Sequence, residues 1–251
     1  MISKSRLKYY SSLLQKKYRN EEDKFLVEGK KLIVEALSSK FDCEMIIVSN
    51  LFFNSNSDLF ENSLFTNVKL EALNQKEFEK LSDTKSPQGI IGVFRQKENF
   101  ISKVNSRIVV ALENISDPGN LGTIIRNCDW FGINRIILDN ECAEVFNPKV
   151  IRASAGSVFH VEIIDEHNFY NLLAQMKEEG YSIICPDLDG ISLIEYQPSE
   201  KTVIVFTNEA NGPSENLLKI SNKIITITGM GRAESLNVAS ASAIILFELT
   251  K

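Results

Sequence analysis

The sequence predicts an α/β protein in two parts, a small α/β unit followed by a larger domain built on a parallel sheet. From Arg107 onward, apolar β-rich runs alternate with helical segments; these runs are RIVVAL, INRIIL, VFHVEII, SIICPDL, TVIVFTN and KIITITG. Near-continuous apolar strands separated by helices indicate a parallel sheet covered on both faces. Catalytic loops are then expected at the carboxyl ends of those strands.

The first part, residues 1–95, has shorter elements. Residues 3–19 predict a helix with leucines among basic positions, and FLVEG predicts a strand that runs into a second helix ending at Leu37. MIIVSN predicts another strand; after an Asn/Ser-rich stretch come the strand VKLEAL, the helical NQKEFEKLSD, the turn TKSPQG and the strand IIGVF. This is a unit of ordinary domain size. The polar residues 96–106 are the predicted linker to a second domain at 107–251.

Charge is distributed unevenly along the chain. Residues 1–40 carry ten basic and five acidic side chains, which gives this segment a net charge of +5. Because the whole chain has a net charge of −5, the remaining residues have a net charge of −10. A basic end on an acidic body is expected if that end meets RNA. Lys16, Lys17 and Arg19 are therefore candidate RNA-binding residues. A solvated amphipathic helix would show the same charges, and that alternative stays open.

Composition excludes several other classes. The chain has 43% hydrophobic and 24% charged residues, which is typical of a globular protein with a core. The start of the sequence lacks signal-peptide features and no run is long enough to span a membrane, so we expect a cytoplasmic protein. Four scattered cysteines without a C-x-x-C pair, and two histidines outside any H-E-x-x-H pattern, predict neither zinc nor another metal.

The first segment that carries chemistry, residues 113–132, follows the strand RIVVAL. Pro118 and Gly119 predict a turn, and Asn120 is predicted to cap the helix that follows. Arg126 lies six positions beyond Asn120, close enough to reach back toward the same end of the helix. A lone helical arginine is usually a surface charge, and the sequence segment alone favours that interpretation.

The second segment is the apolar strand TVIVFTN, which ends in Asn208 and Glu209 before a Gly-Pro turn. An acidic residue there can simply cap the next helix. Ser214, directly before Glu215, is available for that capping role, which leaves Glu209 for a ligand.

The third segment, residues 225–248, contains G-x-G-x-x-E from Gly229 to Glu234. The third glycine of a dinucleotide fingerprint is missing and the segment comes late in the chain, which disfavours a nucleotide-dependent oxidoreductase. Beyond it, residues 239–243 predict a helix face of small side chains. That face permits close packing on a crossing segment or on a second subunit.

These three segments, in this order, resemble the SpoU (TrmH-type) family of the SPOUT methyltransferases. The matching motifs are Asn-x-Gly-x-x-x-Arg at 120–126, Asn-Glu at 208–209 and Glu-Ser-Leu-Asn-Val at 234–238. The resemblance covers residues 107–251, and residues 1–95 are similar to the substrate-binding domain that precedes many family members.

The resemblance implies an S-adenosylmethionine-dependent RNA methyltransferase that modifies a ribose 2′-hydroxyl, with ribosomal RNA favoured over transfer RNA. It also implies a deep trefoil knot in the C-terminal domain, a homodimer and a bent cofactor held by backbone groups of the knot loops. The implied catalytic residues are Arg126, Asn120, Glu209, Ser235 and Asn237. The implied cofactor-binding residues are Thr207, Asn208, Ile227, Gly229, Gly231 and Leu236.

The chain departs from the family pattern at backbone-contact positions. Thr207 and Ala210 stand where glycines are common around Asn-Glu, and Thr228 and Gly229 replace the Pro-Met of the third motif. These departures concern the cofactor pocket more than the chemistry. A non-catalytic RNA-binding protein on the same scaffold is the main alternative, and the presence of all the motif side chains argues against it.

Overall fold

The computed structural model describes residues 2–96 and 106–251. The chain forms two compact units. The first contains residues 2–96 together with Phe146–Phe159, and the second contains 106–145 and 160–251. The sequence assigns 146–159 to the second domain, whereas in the structure this segment packs within the first unit. Of the predicted linker, residues 97–105 lie outside the described residues.

The helices, in chain order, are α1 (Lys4–Ser12), α2 (Lys16–Glu22), α3 (Lys30–Leu37), α4 (Asn50–Ser55), α5 (Gln75–Phe78), α6 (Pro118–Trp130), α7 (Pro148–Ala153), α8 (Phe169–Glu178), α9 (Glu215–Ile220) and α10 (Val238–Thr250). The strands are β1 (Lys24–Glu28), β2 (Cys43–Ser49), β3 (Leu70–Leu73), β4 (Ile90–Arg95), β5 (Ile108–Glu113), β6 (Arg135–Leu138), β7 (Glu162–Asp165), β8 (Ser182–Ser192), β9 (Thr202–Thr207) and β10 (Lys223–Thr226).

The first unit is a four-stranded sheet in the order β1-β4-β2-β3. Strand β4 is antiparallel to β1 and β2, while β3 is parallel to β2. One face of this sheet and the helices beside it form an apolar core that includes Tyr10, Leu13, Met45, Ile47 and Phe78. The strands predicted in residues 1–95 are confirmed.

The predicted continuous helix over 3–19 is wrong, because the chain breaks between α1 and α2. Gln15 is extended, and Leu13 is fully buried in the core. The break removes the helical partner of the Leu13 carbonyl, and the Arg19 guanidinium donates a hydrogen bond to it at 2.8 Å. Arg19 is consequently 2% exposed.

The second unit is a six-stranded sheet in the order β10-β8-β9-β5-β6-β7, with every pair parallel. On one side of β5 lie β6 and then β7, in chain order. On its other side lies β9, and beyond β9 lie β8 and β10. The strand order therefore reverses between β5 and β9. In open α/β sheets, ligands bind outside the carboxyl ends of strands at such a reversal. The predicted parallel sheet is confirmed.

Helix α10 packs on α6. The Asn127 side-chain amide of α6 donates hydrogen bonds to the Ala239 carbonyl and to the Ser242 hydroxyl, both at 2.9 Å. Small residues on α10 permit this approach, so the predicted small-residue face is used within the chain. The trefoil knot stays a prediction.

Among the described residues, no helix combines the length and apolarity needed to cross a membrane. Residues 2–96 and 106–251 also contain no group of three or more histidine, cysteine or acidic side chains arranged to hold a metal ion.

Candidate functional site

Three loops of the second unit meet at the carboxyl edge of its sheet. The first follows β5 and leads into α6. Here Asp117, and not Asn120, caps the helix, since its carboxylate accepts a hydrogen bond from the Asn120 backbone N–H at 2.9 Å. The capping role predicted for Asn120 is therefore wrong: proline is favoured in the first helical position, and Pro118 starts the helix one residue after Asp117. The Asn120 side chain is thereby left free to point elsewhere.

The side chains of Asn120, Glu209 and Asn237 form one hydrogen-bonded cluster. The Asn120 amide donates to Glu209 Oε1 at 3.3 Å. The Asn237 amide donates to Glu209 Oε1 at 3.2 Å and to Asn120 Oδ1 at 2.9 Å. The structure thus brings together one side chain from each of the three sequence motifs.

Asn237 holds its place because it also caps α10. Its Oδ1 accepts hydrogen bonds from the backbone N–H groups of Ala239 and Ser240 at 3.0 and 3.4 Å. Asparagine is among the preferred residues at this position. The same side chain therefore begins α10 with its oxygen and contacts the cluster with its amide nitrogen.

Arg126 lies on α6, six residues after Asn120 and about 9 Å further along the helix axis. Its side chain is exposed and makes no hydrogen bond or ion pair with residues 2–96 or 106–251. Ser235 is exposed in the loop before α10 and likewise has no hydrogen bond within the described part of the chain. Neither residue joins the cluster in this structure.

The predicted cofactor residues fall into two groups. Thr207 is the last residue of β9, where it is aligned with Glu113 of β5 and is buried, and Asn208 directly follows the strand. Ile227, Gly229, Gly231 and Leu236 lie in the loop between β10 and α10, where all but Ile227 are exposed. At Gly229 and Gly231, a Cβ atom would meet nothing within 4 Å. The backbone of this loop is consequently accessible to a ligand.

Two of the three predicted RNA-binding residues are available on the surface. Lys16 and Lys17 are exposed on α2. Arg19 is not, because its guanidinium is buried against Leu13. In this structure the Arg19 guanidinium is therefore not available on the surface, and a contact between Arg19 and phosphate stays an untested prediction.

Glu113 has no role in the sequence-based prediction, although it ends β5 within the site region and is 4% exposed. The sequence does contain a signal for it, because Glu113 is a charged residue at the end of the otherwise apolar strand β5. The predicted capping role of Ser214 is confirmed, because its hydroxyl oxygen accepts a hydrogen bond from the Leu217 backbone N–H at 3.1 Å.

Comparison with known proteins identifies relatives of both parts of the chain. The model of the SpoU rRNA Methylase family matches residues 107–247, and that of the MRM3-like substrate binding domain matches 4–92. A 23S rRNA (guanosine(2553)-2'-O)-methyltransferase of Bacillus subtilis is 31% identical over 97% of this chain and 95% of its own length.

Solved structures give the same result. A TrmH-family protein from Porphyromonas gingivalis superimposes with a TM-score of 0.87 and 32% identity, over 99% of this chain and 98% of its own. The AdoMet-bound rRNA methyltransferase of Sinorhizobium meliloti superimposes with a TM-score of 0.85 and 28% identity, over 99% of this chain and 95% of its own.

The fold and these comparisons together define an RNA methyltransferase that uses S-adenosylmethionine. The chain belongs to the SpoU rRNA Methylase family. The sequence-based assignment to this family, to an enzyme and to this cofactor is thereby confirmed.

Proposed function

We propose that this protein methylates a ribose 2′-hydroxyl in ribosomal RNA, and that it does so in the cytoplasm as a homodimer. The observation that carries the proposal is the Asn120–Glu209–Asn237 cluster, at the point where the strand order of the sheet reverses. Ribosomal RNA is favoured because the Bacillus subtilis relative, similar over nearly its whole length, is named for 23S rRNA.

The residues of the site suit the cofactor. The exposed loop around Gly229 and Gly231 offers backbone groups with open space beside them. Glu209 is exposed and accepts hydrogen bonds from two neutral amides, so its negative charge can favour a cationic ligand. When bound, S-adenosylmethionine supplies an electrophilic methyl group on a positively charged sulfur.

The side chains supply position and charge. Methyl transfer requires the ribose oxygen to approach the methyl group in line, and correct positioning supplies roughly 7 to 11 kcal/mol of such a barrier. We assign Asn120, Ser235 and Asn237 to orienting the ribose and the donor, with Glu209 shaping the pocket.

Arg126 acts as a cation in this proposal. A guanidinium group stays protonated at neutral pH and is a poor general base. Held beside the 2′-oxygen or an adjacent phosphate, it stabilises the negative charge that develops as the hydroxyl loses its proton to solvent. The absence of a protein partner for Arg126 among the described residues leaves its five N–H donors available to RNA.

The homodimer proposal is supported by apolar side chains left exposed on the paired helices α6 and α10. Trp130 is 81% exposed, Phe247 is 55% exposed and Ile244 is 43% exposed. Large apolar side chains exposed on two helices that pack together support an interaction site there. A second copy of the chain would cover it.

The substrate class is tested by offering the enzyme tritiated S-adenosylmethionine with ribosomal or transfer RNA from a strain that lacks the gene. We expect label in ribosomal RNA, located at one 2′-O-methylated nucleotide after digestion. Label confined to transfer RNA would overturn the ribosomal assignment and leave the chemistry intact.

A further inference from the structure

Glu113 is a buried carboxylate whose hydrogen bonds tie one end of the loop Asn208–Ser214 to β5. It accepts hydrogen bonds from the Ser214 hydroxyl at 2.6 Å and from the Ser214 backbone N–H at 3.1 Å. The Tyr170 hydroxyl donates a third, at 2.6 Å. Burying a carboxylate is costly unless donors compensate it, and three charge-assisted hydrogen bonds do so here.

The next residue, Asn114, holds the other end of the same loop. Its backbone carbonyl accepts a hydrogen bond from the Asn208 side-chain amide at 3.2 Å. Asn114 has a left-handed backbone with φ of 55°, and its N–H donates to Asp139 at 3.0 Å. Asp139 therefore holds the backbone of Asn114 on its N–H side, next to the carbonyl that anchors Asn208.

We propose that Glu113 and Asn114 are positioning residues, which clamp both ends of the loop Asn208–Ser214 and so hold Glu209 against Asn120 and Asn237. Glu209 and the two residues after it are exposed, so the loop is located mainly by its ends. The inference rests on the role proposed above for Glu209.

The anchoring of the loop Asn208–Ser214 by Glu113 and Asn114, here called the clamp, depends on the charge of Glu113 and on its acceptor oxygens. Burial raises the pKa of Tyr170, and its hydrogen bond to Glu113 raises that pKa further, so the hydroxyl stays protonated and remains a donor. A Glu113→Gln side chain of the same size presents an N–H₂ group where one carboxylate oxygen accepted. The new N–H₂ group would then face an N–H or O–H donor of Ser214 or Tyr170, and the hydrogen bonding that holds Ser214 to β5 would be weakened.

The test measures single-turnover methyl transfer at saturating donor and RNA for Glu113→Gln, Glu209→Gln and the double variant. We expect Glu113→Gln alone to reduce the rate by about 10- to 100-fold, the range produced by small misplacements of catalytic groups. In the Glu209→Gln background the same change should have little further effect, because the clamp acts through Glu209.

Glu215→Gln is the matched control. It removes a carboxylate next to Ser214 that is exposed and forms a 3.6 Å surface ion pair with Lys219. Its rate should match that of the unaltered enzyme.

Failure of the inference and failure of the proposed function give different results. A Glu209→Gln variant with an unaltered rate would overturn the role of Glu209 itself. If Glu209→Gln is impaired, two results would contradict the clamp. One is a folded Glu113→Gln variant with an unaltered rate, and the other is a double variant whose rate loss equals the product of the two single losses. Should Glu113→Gln not fold, Ser214→Ala removes one hydrogen bond to Glu113 and is judged by the same cycle with Glu209→Gln.

Discussion

A single carboxylate oxygen, Oε1 of Glu209, receives hydrogen bonds from the amides of Asn120 and Asn237. Amide donors orient the carboxylate without neutralising it, so its charge is kept for a ligand. These amides come from the start of α6 and the start of α10, and the carboxylate follows β9. The site is therefore a meeting of residues that are far apart in the sequence, and it depends on the parallel order of the strands.

The charge of Glu209 should distinguish the two forms of the cofactor. S-adenosylmethionine carries a positive sulfur, whereas S-adenosylhomocysteine has a neutral thioether. We expect Glu209→Gln to weaken binding of S-adenosylmethionine by about fivefold, equivalent to about 1 kcal/mol, and to change binding of S-adenosylhomocysteine little. Calorimetry with both ligands measures this. Equal decreases in affinity for both ligands would mean that Glu209 acts through shape alone.

At the scale of elements, helix α2 shows why neighbouring basic residues have different roles. Lys16 and Lys17 face solvent. Arg19 instead points into the protein and donates a hydrogen bond to the Leu13 carbonyl, which has no helical partner because the chain breaks between α1 and α2. Sequence patterns indicate the charge of a segment but not which side chain a tertiary contact will bury. For the same reason the sequence could not show that Asp117 caps α6, since Asp and Asn are both good caps.

Replacing Lys16 and Lys17 together by alanine should weaken RNA affinity and leave donor affinity unchanged. The slope of log affinity against log salt should become shallower by about 0.7 to 0.9 for each phosphate group that is no longer neutralised. Filter binding over a salt series measures the slope. Lys219→Ala with Lys223→Ala removes the same charge from exposed positions of the second unit and should leave the slope unchanged. An unchanged slope for the Lys16 and Lys17 variant would support the solvated-helix alternative.

Arg19→Ala should act on stability instead. It leaves the Leu13 carbonyl without the guanidinium donor, and a buried unsatisfied polar group costs about 1 to 3 kcal/mol. Thermal melting should show a lower Tm, with an RNA salt slope close to that of the unaltered protein. A normal Tm combined with a shallower slope would return Arg19 to the RNA-binding surface.

The paired helices α6 and α10 carry the proposed subunit contact. Trp130→Asp places a charge on an 81% exposed position, where it costs the folded chain little but would be buried between two copies. We expect a dimer that becomes a monomer, measured by light scattering on a size-exclusion column. Leu51→Asp, at a 69% exposed position of the first unit, is the matched control and should remain dimeric. A Trp130→Asp variant that remains dimeric would place the subunit interface elsewhere.

At the scale of the whole molecule, the order of apolar runs was enough to predict both α/β units and the parallel sheet of the second. Strand runs such as RIVVAL and TVIVFTN are buried on both faces, and their composition shows it directly. The place of residues 146–159 could not be predicted in this way. Phe146 stacks on Phe25 with ring centroids 4.2 Å apart, and Arg152 pairs with Asp83 at 2.8 Å. Such contacts link positions far apart in the sequence and leave no periodic signal.

The site was predictable to a different extent. Asn120, Glu209 and Asn237 were all identified from motifs and are brought together, because each lies at an end of a helix or strand of the second unit. Arg126 and Ser235 were identified from the same motifs but lie apart from the cluster. Neither side chain makes a hydrogen bond within residues 2–96 or 106–251, and in the proposed mechanism the RNA supplies the partner of Arg126.

Arg126 is central to the proposed chemistry, because it provides the charge that promotes transfer to the 2′-oxygen. The most direct measurement is the single-turnover rate of 2′-O-methyl nucleotide formation in RNA from a deletion strain, with Arg126→Ala and Arg126→Lys. Thermal melting and donor binding confirm that each variant is folded. We expect Arg126→Ala to reduce the rate by about 10²- to 10³-fold, and Arg126→Lys to recover little because a point charge lacks the planar fork. A folded, donor-binding Arg126→Ala variant with a near-normal rate would contradict this mechanism and leave Arg126 as an ordinary surface residue of α6.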